Sequence, residues 1–389
     1  MREAVASEKN DFIEYLISRM TIEERIGQLF MLYIRGTTVT QCTLDLLESI
    51  PVGGIILFAD NVSSFYQVQS LTRDLQELAE IPLFISTDEE GGVVSRVGRL
   101  FEHGITPAAF QIGLGDVPLI WRGLTFEERM TMGYSHHFTD GQHSAYLVGR
   151  YIGRHLGEMG ININFAPVAD VWSNPYNRVI GSRAFARTAE EVAPLVTATV
   201  EGLIAENIIA TLKHFPGHGD TYEDSHFQLA FNRGDRERFA EVEVLPFISG
   251  INAGAQAVMI GHISTPQVSG HTELLCWMAP WIQSGRLPAT FSDLWLQEIL
   301  RSEMGFEGLI ITDALNMNAL TNHFTCEQIA LGAFLAGADI LLMPSNPQEA
   351  YRALIDGFNN EYFDEERLND SVRRILSSKL PLFEQVTSQ

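Results

Sequence analysis

Eight short apolar runs alternate with helical segments along this chain of 389 residues. A short apolar run bounded by polar or turn residues is typical of a buried strand, and apolar residues at helical spacing are typical of an amphipathic helix. Regular alternation of the two predicts a parallel sheet with helices packed outside it. Eight such units predict a closed (β/α)8 barrel of the TIM type. The predicted strands are 27–32, 52–58, 82–86, 161–168, 208–212, 257–260, 308–312 and 338–343.

An open, doubly wound α/β sheet is the alternative architecture. No Gly-x-Gly-x-x-Gly turn follows the first predicted strand, which disfavours a dinucleotide-binding version of that fold. We therefore predict a single catalytic barrel domain over residues 1–389. The predicted helices include 71–79, 146–158, 189–206, 294–303 and 365–377.

Composition excludes several functional classes. Apolar residues make up 46% of the chain and charged residues 19%, which suits a soluble enzyme with a sizeable core. The net charge of −23 repels nucleic-acid phosphates and anionic membrane surfaces. The sequence shows neither a signal peptide nor a run of about 18 apolar residues, so we expect a cytoplasmic protein. Cys42, Cys276 and Cys326 are too few and too widely spaced for a disulfide framework, and we expect buried thiols.

The segment 213–226 concentrates titratable groups, with three His, three carboxylates and one Lys. It directly follows the apolar run 208–212, so it lies at the end of a predicted strand. Barrels of this type place their active sites at the carboxyl ends of the strands. Polar residues also follow four other predicted strands, and we expect them on the same face: Asp88, Asp170, His262 and Asp313.

These residues suit glycoside hydrolysis, which needs a carboxylate at the anomeric carbon and a group that protonates the leaving oxygen. Asp313 is the predicted nucleophile because it follows a buried strand, although an Asp there also suits a helix N-cap. Asp224 lies two residues from His226, and a carboxylate can orient an imidazole and stabilise its charged form. A His that titrates near neutrality suits a general acid and base.

A catalytic metal is the less favoured interpretation. His214 and His218 are four residues apart, a spacing that directs two side chains at one ion on a helix. Pro216 and Gly217 lie between them and disfavour that helix. We therefore expect no metal and no cofactor.

The segment 213–221 followed by Asp224-Ser225-His226 resembles the signature of family 3 β-N-acetylglucosaminidases of the NagZ type. Related β-glucosidases keep the Lys-His pair but lack the Asp-Ser-His loop. The resemblance covers nearly the whole chain, because five further segments are similar to family motifs. These segments are 20–29, 88–92, 164–171, 180–185 and 308–315.

The resemblance implies a retaining mechanism in which Asp313 forms a covalent glycosyl-enzyme and His226, paired with Asp224, is the acid/base. His218 and His262 are expected to pack the loops, and Asp170 suits either a structural or a functional role. Five further residues match positions that hold the sugar's hydroxyls: Asp88, Arg96, Arg183, Lys213 and His214.

The implied substrate is a terminal N-acetylglucosamine on a peptidoglycan fragment, cleaved during cell-wall recycling. A family 3 β-glucosidase, a metal-dependent amidohydrolase and a catalytically inactive sugar-binding protein are the alternatives. Compact family members lack an apparent insertion near 112–144, which we expect either at the pocket mouth or as a surface excursion. Gly217 and Gly219 are candidate hinges for the loop that carries His226.

Overall fold

The computed structural model describes residues 2–114, 140–268 and 270–386. The predicted insertion near 112–144 falls mainly on residues 115–139, which lie outside the described residues. No helix in the described ranges is long and apolar enough to cross a membrane.

Eight parallel strands form one sheet that closes on itself. Strands that are consecutive in the chain are neighbours in the sheet, and the last strand, Leu341–Leu342, lies beside the first, Phe30–Tyr33. The two ends meet where Ile311 bridges Ile340 and where the Ile310 carbonyl accepts the Asp339 and Ile340 N–H groups. The predicted (β/α)8 barrel is therefore confirmed, and the open-sheet alternative is wrong. The strands are β1 (Phe30–Tyr33), β2 (Gly54–Leu57), β3 (Phe84–Thr87), β4 (Ile163–Asn164), β5 (Ile209–Phe215), β6 (Ala257–Ile260), β7 (Leu309–Thr312) and β8 (Leu341–Leu342).

The strands are continuous apolar runs because both of their faces are covered. All four residues of β2 are buried, with side chains inside the barrel and against the surrounding helices. β4 is much shorter than the predicted 161–168. The chain beyond it still lies beside β5, because the Ala166 and Pro167 carbonyls accept the Thr211 and Lys213 N–H groups. β5 is longer than predicted and runs to Phe215. Lys213 and His214 consequently lie within a strand and not in the loop after it.

Helices surround the sheet and begin at recognisable sequence signals. Thr325, for example, caps the helix Cys326–Ala336 by accepting the Gln328 N–H, and the Gln328 side chain accepts the Thr325 N–H in return. The α-helices are Arg2–Arg19, Ile22–Gln28, Gln41–Ser49, Phe65–Glu77, Ala109–Gly113, Asp140–Glu158, Ala189–Ile204, Arg236–Arg238, Leu245–Asn252, Ala279–Gln283, Asn318–Thr321, Cys326–Ala336, Pro347–Asn359 and Glu365–Val386. Phe239–Glu243 and Leu294–Glu303 are π-helical.

The cysteine prediction is wrong in one respect. All three thiols are free, but Cys42 and Cys276 are exposed and Cys326 is half-buried. Cys42 lies near the start of a helix whose inward face is supplied by other residues, so its side chain is left in solvent.

Candidate active site

Four charged side chains form a balanced network at the carboxyl ends of the strands. The Lys213 Nζ lies 2.7 Å from Asp88 Oδ1 and 2.6 Å from Glu90 Oε1. Arg183 donates from Nε and Nη2 to the two Glu90 oxygens, both at 2.8 Å. Two cations and two carboxylates therefore neutralise one another, which is what burial of such charges requires.

The charges of this network are strongly perturbed by their neighbours. Only 2% of the Lys213 side chain and 4% of the Glu90 side chain are exposed. Burial raises the pKa of Glu90, but Arg183 and Lys213 more than offset this and hold it well below its usual range. Burial lowers the pKa of Lys213, and Asp88 with Glu90 raises it above the ordinary value. Both groups consequently stay ionised at neutral pH.

His214 is oriented on both sides of its ring. Its Nδ1 lies 2.7 Å from Asp170 Oδ2, and its Nε2 lies 3.3 Å from Arg183 Nη2. A guanidinium only donates, so Nε2 accepts and Nδ1–H donates to Asp170. Asp170 is fully buried, and burial raises its pKa, but contact with His214 lowers it overall. Asp170 thus sets the ring position of a predicted sugar-binding residue.

Asp313 lies directly after β7, with its N–H bonded to the Ile260 carbonyl. Its Oδ1 accepts the Ala314 N–H at 2.8 Å. Burial raises the pKa of this carboxyl, but His214 and His262 more than offset that and lower it. The carboxylate is therefore ionised, as a nucleophile must be. The next helix begins only at Asn318, so the N-cap interpretation of Asp313 is wrong.

His262 holds the chain just beyond Asp313. It is fully buried, and its Nε2 lies 3.0 Å from the Ala314 carbonyl oxygen. A carbonyl only accepts, so Nε2–H donates, and Nδ1 accepts from the Thr290 hydroxyl at 2.7 Å. This is the packing role expected for it.

Asp224 and His226 form a hydrogen-bonded pair on the loop after β5. His226 Nδ1 lies 2.7 Å from Asp224 Oδ1, which also accepts the His226 N–H at 2.9 Å. The pair lies at the surface, because 61% of the His226 side chain is exposed. The Ser225 carbonyl accepts the Ala319 N–H at 3.3 Å, so this loop lies against the segment that follows β7 and Asp313. His226 is also among the groups that lower the pKa of Asp313.

The base of this loop is fixed by His218, which is buried. Its Nδ1 lies 2.6 Å from Thr221 Oγ1 and its Nε2 lies 3.1 Å from Ser225 Oγ. Its N–H donates to Asp170 at 2.6 Å. Burial lowers the pKa of His218 to about 4, so the ring is neutral at pH 7. His218 therefore joins the loop to the barrel without adding charge.

The candidate hinge glycines are closely packed. A Cβ on Gly219 would overlap the Val171 carbonyl oxygen, and one on Gly217 would lie 2.5 Å from the Glu243 Cγ. Asn177 further fixes this base by donating to the His218 carbonyl at 2.7 Å. Any hinge motion of the loop stays a prediction, and these contacts restrict it to the residues beyond the base.

Arg96 makes no ion pair with the charged network in the described part of the chain. Its guanidinium carbon is 5.3 Å from the Phe58 ring centre, and its buried Nε has no hydrogen-bond partner in the described part of the chain. The buried Glu89 carboxylate accepts the Val97 and Gly98 N–H groups, both at 2.9 Å, and so fixes the turn that carries Arg96. A buried donor without a partner is consistent with ligand binding.

Sequence reasoning assigned no role to Glu90. The sequence offers three consecutive acids, Asp88 to Glu90, before two glycines. The structure separates them, since Glu89 binds backbone amides while Glu90 receives both Arg183 and Lys213. Alternation of side chains along an extended chain suggests that Glu89 and Glu90 point apart, but only the fold shows which one meets the cations. Neither at this site nor in the rest of the described ranges is a group of three or more His, Cys, Asp or Glu placed to hold a metal ion.

Residues 21–378 match the glycosyl hydrolase family 3 N terminal domain, and the chain belongs to this family. Beta-hexosaminidase A of Pseudoalteromonas piscicida is 34% identical over 362 residues, which are 89% of this chain and 56% of that protein. A family 3 beta-N-acetylglucosaminidase structure from Paenibacillus sp. str. FPU-7 has 34% identity and a TM-score of 0.79, with 92% of this chain and 62% of that chain covered.

NagZ from Neisseria gonorrhoeae, solved with N-trifluoroacetyl-D-glucosamine, is 30% identical with a TM-score of 0.69. The match covers 90% of this chain and 89% of that one. The chain therefore spans little more than half of the first relative and nearly all of NagZ. The resemblance to family 3 enzymes of the NagZ type is confirmed.

Proposed function

We propose that this protein is a retaining exo-β-N-acetylglucosaminidase. It removes terminal N-acetylglucosamine from peptidoglycan fragments during cell-wall recycling in the cytoplasm. One observation supports the proposal most directly: a carboxylate and a carboxylate–imidazole pair lie at the same face of the barrel. The carboxylate is the ionised Asp313 at a strand end, and the pair is Asp224 with His226 on a loop. The names of the relatives support the same sugar. Catalysis is assigned to a single barrel domain over residues 1–389, with no cofactor.

The charged network supplies the pocket for the non-reducing sugar. Lys213 contacts Oδ1 of Asp88, which leaves Oδ2 to accept hydrogen bonds from sugar hydroxyls. The same region is lined by Lys213, Arg183 and His214, whose side chains can donate or accept hydrogen bonds beside the Asp88 carboxylate. Hydrogen bonds with charged groups are the stronger ones, so a fixed carboxylate and fixed cations orient one sugar ring firmly. We assign Arg96 to this pocket as a fifth group, and its buried Nε, which has no hydrogen-bond partner in the described part of the chain, supports the assignment.

The reaction proceeds in two displacements. The Asp313 carboxylate attacks the anomeric carbon while His226 transfers a proton to the departing glycosidic oxygen. A covalent glycosyl ester forms and the aglycone leaves as an alcohol. His226 then removes a proton from water, whose oxygen attacks the anomeric carbon and releases Asp313. Asp224 orients the imidazole and stabilises its charged form. Two inversions give net retention.

Trapping the glycosyl-enzyme tests the proposal. We expect a single adduct, mapped to the peptide with Asp313, after incubation with a 5-fluoro N-acetylglucosaminyl donor. Asp313→Asn is the matched control and forms none. Cleavage of an aryl N-acetylglucosaminide without any adduct would refute the assigned nucleophile. Preferential cleavage of an aryl β-glucoside would instead support the β-glucosidase alternative, and inhibition by a chelator the amidohydrolase alternative.

A further inference from the structure

One buried carboxylate lies behind both ends of the loop 217–232, which carries the acid/base. Only 1% of the Glu243 side chain is exposed. At the start of the loop, Glu243 packs so closely that a Cβ on Gly217 would lie 2.5 Å from its Cγ. At the end of the loop, Glu243 Oε1 accepts an N–H of the Asn232 side chain at 3.1 Å, and the same amide group donates to the Gly217 carbonyl at 3.2 Å. The two ends of the loop are therefore joined to each other and to Glu243.

Arg238 extends these contacts to a third point on the loop. Its Nη2 lies 3.3 Å from Glu243 Oε1 and 3.1 Å from Asp220 Oδ1. Ser173, which lies beyond β4, donates to the same Asp220 oxygen at 2.8 Å. A guanidinium presents several donors in a fixed plane, so one Arg can hold two carboxylates at a set separation. We call Asp220, Asn232, Arg238 and Glu243 the loop clasp.

Stability alone does not account for the charge of Glu243. Burial raises the pKa of Glu243, and contacts with Asn232 and Arg238 offset only part of the rise. Its buried Oε2 has no hydrogen-bond partner in the described part of the chain. An ion pair with such an oxygen contributes little to stability, and an apolar side chain of similar volume often does as well. Glu243 also ends the π-helical turn Phe239–Glu243, and such turns are frequent at functional sites.

The tip of the loop depends on how its ends are held. The His226 side chain is largely exposed, and its ring contacts Asp224 of the same loop. The Ser225 carbonyl accepts the Ala319 N–H at 3.3 Å, which is a long hydrogen bond. A general acid must lie within hydrogen-bond reach of the oxygen that it protonates. A misplacement of about 1 Å can cost roughly a hundredfold in rate, so small movements of the loop matter.

We propose that the Arg238–Glu243 pair is a positioning element for the acid/base. It fixes both ends of the loop 217–232 and so holds His226 at the distance from Asp313 that protonation of the leaving oxygen requires. This inference rests on the proposed function and deepens it by naming residues behind the loop on which the acid step depends. Both residues act through the loop and not through the sugar.

Two substrates that differ in their need for a proton test the inference. In a disaccharide of two N-acetylglucosamine units the leaving oxygen must be protonated, whereas N-acetylglucosaminyl fluoride releases its fluoride without an acid. We expect Arg238→Met to lower kcat/KM roughly tenfold on the disaccharide and less than about twofold on the fluoride. Arg236→Met is the matched control and should keep both values, since Arg236 lies in the same helical turn but pairs with Glu303, outside the loop.

A double-mutant cycle with His226→Ala separates positioning from a general loss of structure. If Arg238 acts through His226, adding Arg238→Met to His226→Ala should lower kcat/KM on the disaccharide by less than about twofold further. Equal losses on the disaccharide and the fluoride, or the same loss in both backgrounds, would overturn the inference. Glu243→Gln keeps the shape and one oxygen acceptor, and this second variant should show the same pattern with a smaller loss.

The native protein distinguishes this inference from the proposed function. If it cleaves neither the disaccharide nor the fluoride, the proposed function fails and the inference fails with it. If it cleaves both, but Arg238→Met and Glu243→Gln retain the native kcat/KM on the disaccharide, the inference alone is wrong.

Discussion

Replacing Glu90 by Gln should destabilise the fold more than a charge change elsewhere on the chain. The carboxylate receives two N–H groups of Arg183 and the ammonium of Lys213, and it is almost completely buried. Gln keeps the shape but removes the charge, so two buried cations share only the Asp88 carboxylate. Its amide group also presents N–H donors to a cation.

The size of the effect follows from the burial. Removing one partner from a buried ionic network costs about 3–5 kcal/mol. Unfolding entropy is about 2.1 cal/mol/K per residue, or roughly 0.8 kcal/mol/K for a chain of 389 residues. The melting temperature of Glu90→Gln should therefore fall by about 4–6 °C. The pH dependence has a definite sign, because the pKa of Glu90 is lower in the folded protein than its ordinary value of 4.5. Its contribution to stability is present above pH 4.5 and is lost as the pH falls below it.

Thermal melting and urea unfolding measure both effects. The stability gap between the native protein and Glu90→Gln should be widest at neutral pH and should narrow as the pH falls below 4.5. Glu48→Gln removes a charge from an exposed helix position and is the matched control. Equal melting temperatures for the two variants would refute the reasoning, as would a gap that widens in acid.

Three further outcomes test the loop. Gly217→Ala should lower both the melting temperature and the turnover of an aryl N-acetylglucosaminide, since its Cβ would lie 2.5 Å from Glu243 Cγ. Gly36→Ala, with a φ of +88° but open space, should keep its turnover, and equal turnover losses would contradict this. Because the pKa of His218 is lowered to about 4, stability should decline as the pH falls from 6.5 towards 4, and urea titrations of His218→Gln should show a shallower decline. His226→Ala should lose about a hundredfold or more in kcat/KM on an N-acetylglucosaminyl disaccharide, whose leaving oxygen needs a proton. It should lose much less on N-acetylglucosaminyl fluoride, whose leaving group needs none, and equal losses on the two substrates would contradict the role of His226 as acid.

The barrel was predictable because its strands must be buried on both faces. The alternation of apolar runs and helices identifies eight units without reference to tertiary contacts, and β6 matches its predicted bounds of 257–260. The ends of the strands were harder to predict from the sequence. β4 ends at Asn164, before the end of the predicted strand 161–168, whereas β5 continues through polar residues whose burial depends on partners distant in sequence. Sequence alone does not show that Asp88 and Glu90 neutralise the charge of Lys213, which is what allows this residue to be buried within a strand.

The candidate site was predictable where neighbouring residues act together. The Asp224–His226 pair forms over two residues, so the spacing alone suggests it. Glu90 and Asp170 act through side chains that are distant in sequence, such as Arg183 and His214. Their importance becomes visible only when the fold brings these partners together. Exposure of Cys42 was missed for the same reason, because its burial depends on which helix face meets the barrel.

The attachment of the acid/base to a loop has a consequence for how such an enzyme diversifies. On the barrel floor each charged group is the partner of another, so a single substitution there disturbs several residues at once. Beyond the fixed base at His218, the loop carries exposed side chains, such as Tyr222 at 72% and Phe227 at 70%. Natural variation is tolerated best where few contacts are shared. Preferences for the leaving group can therefore drift between lineages, or be re-engineered, while recognition of the first sugar is inherited unchanged.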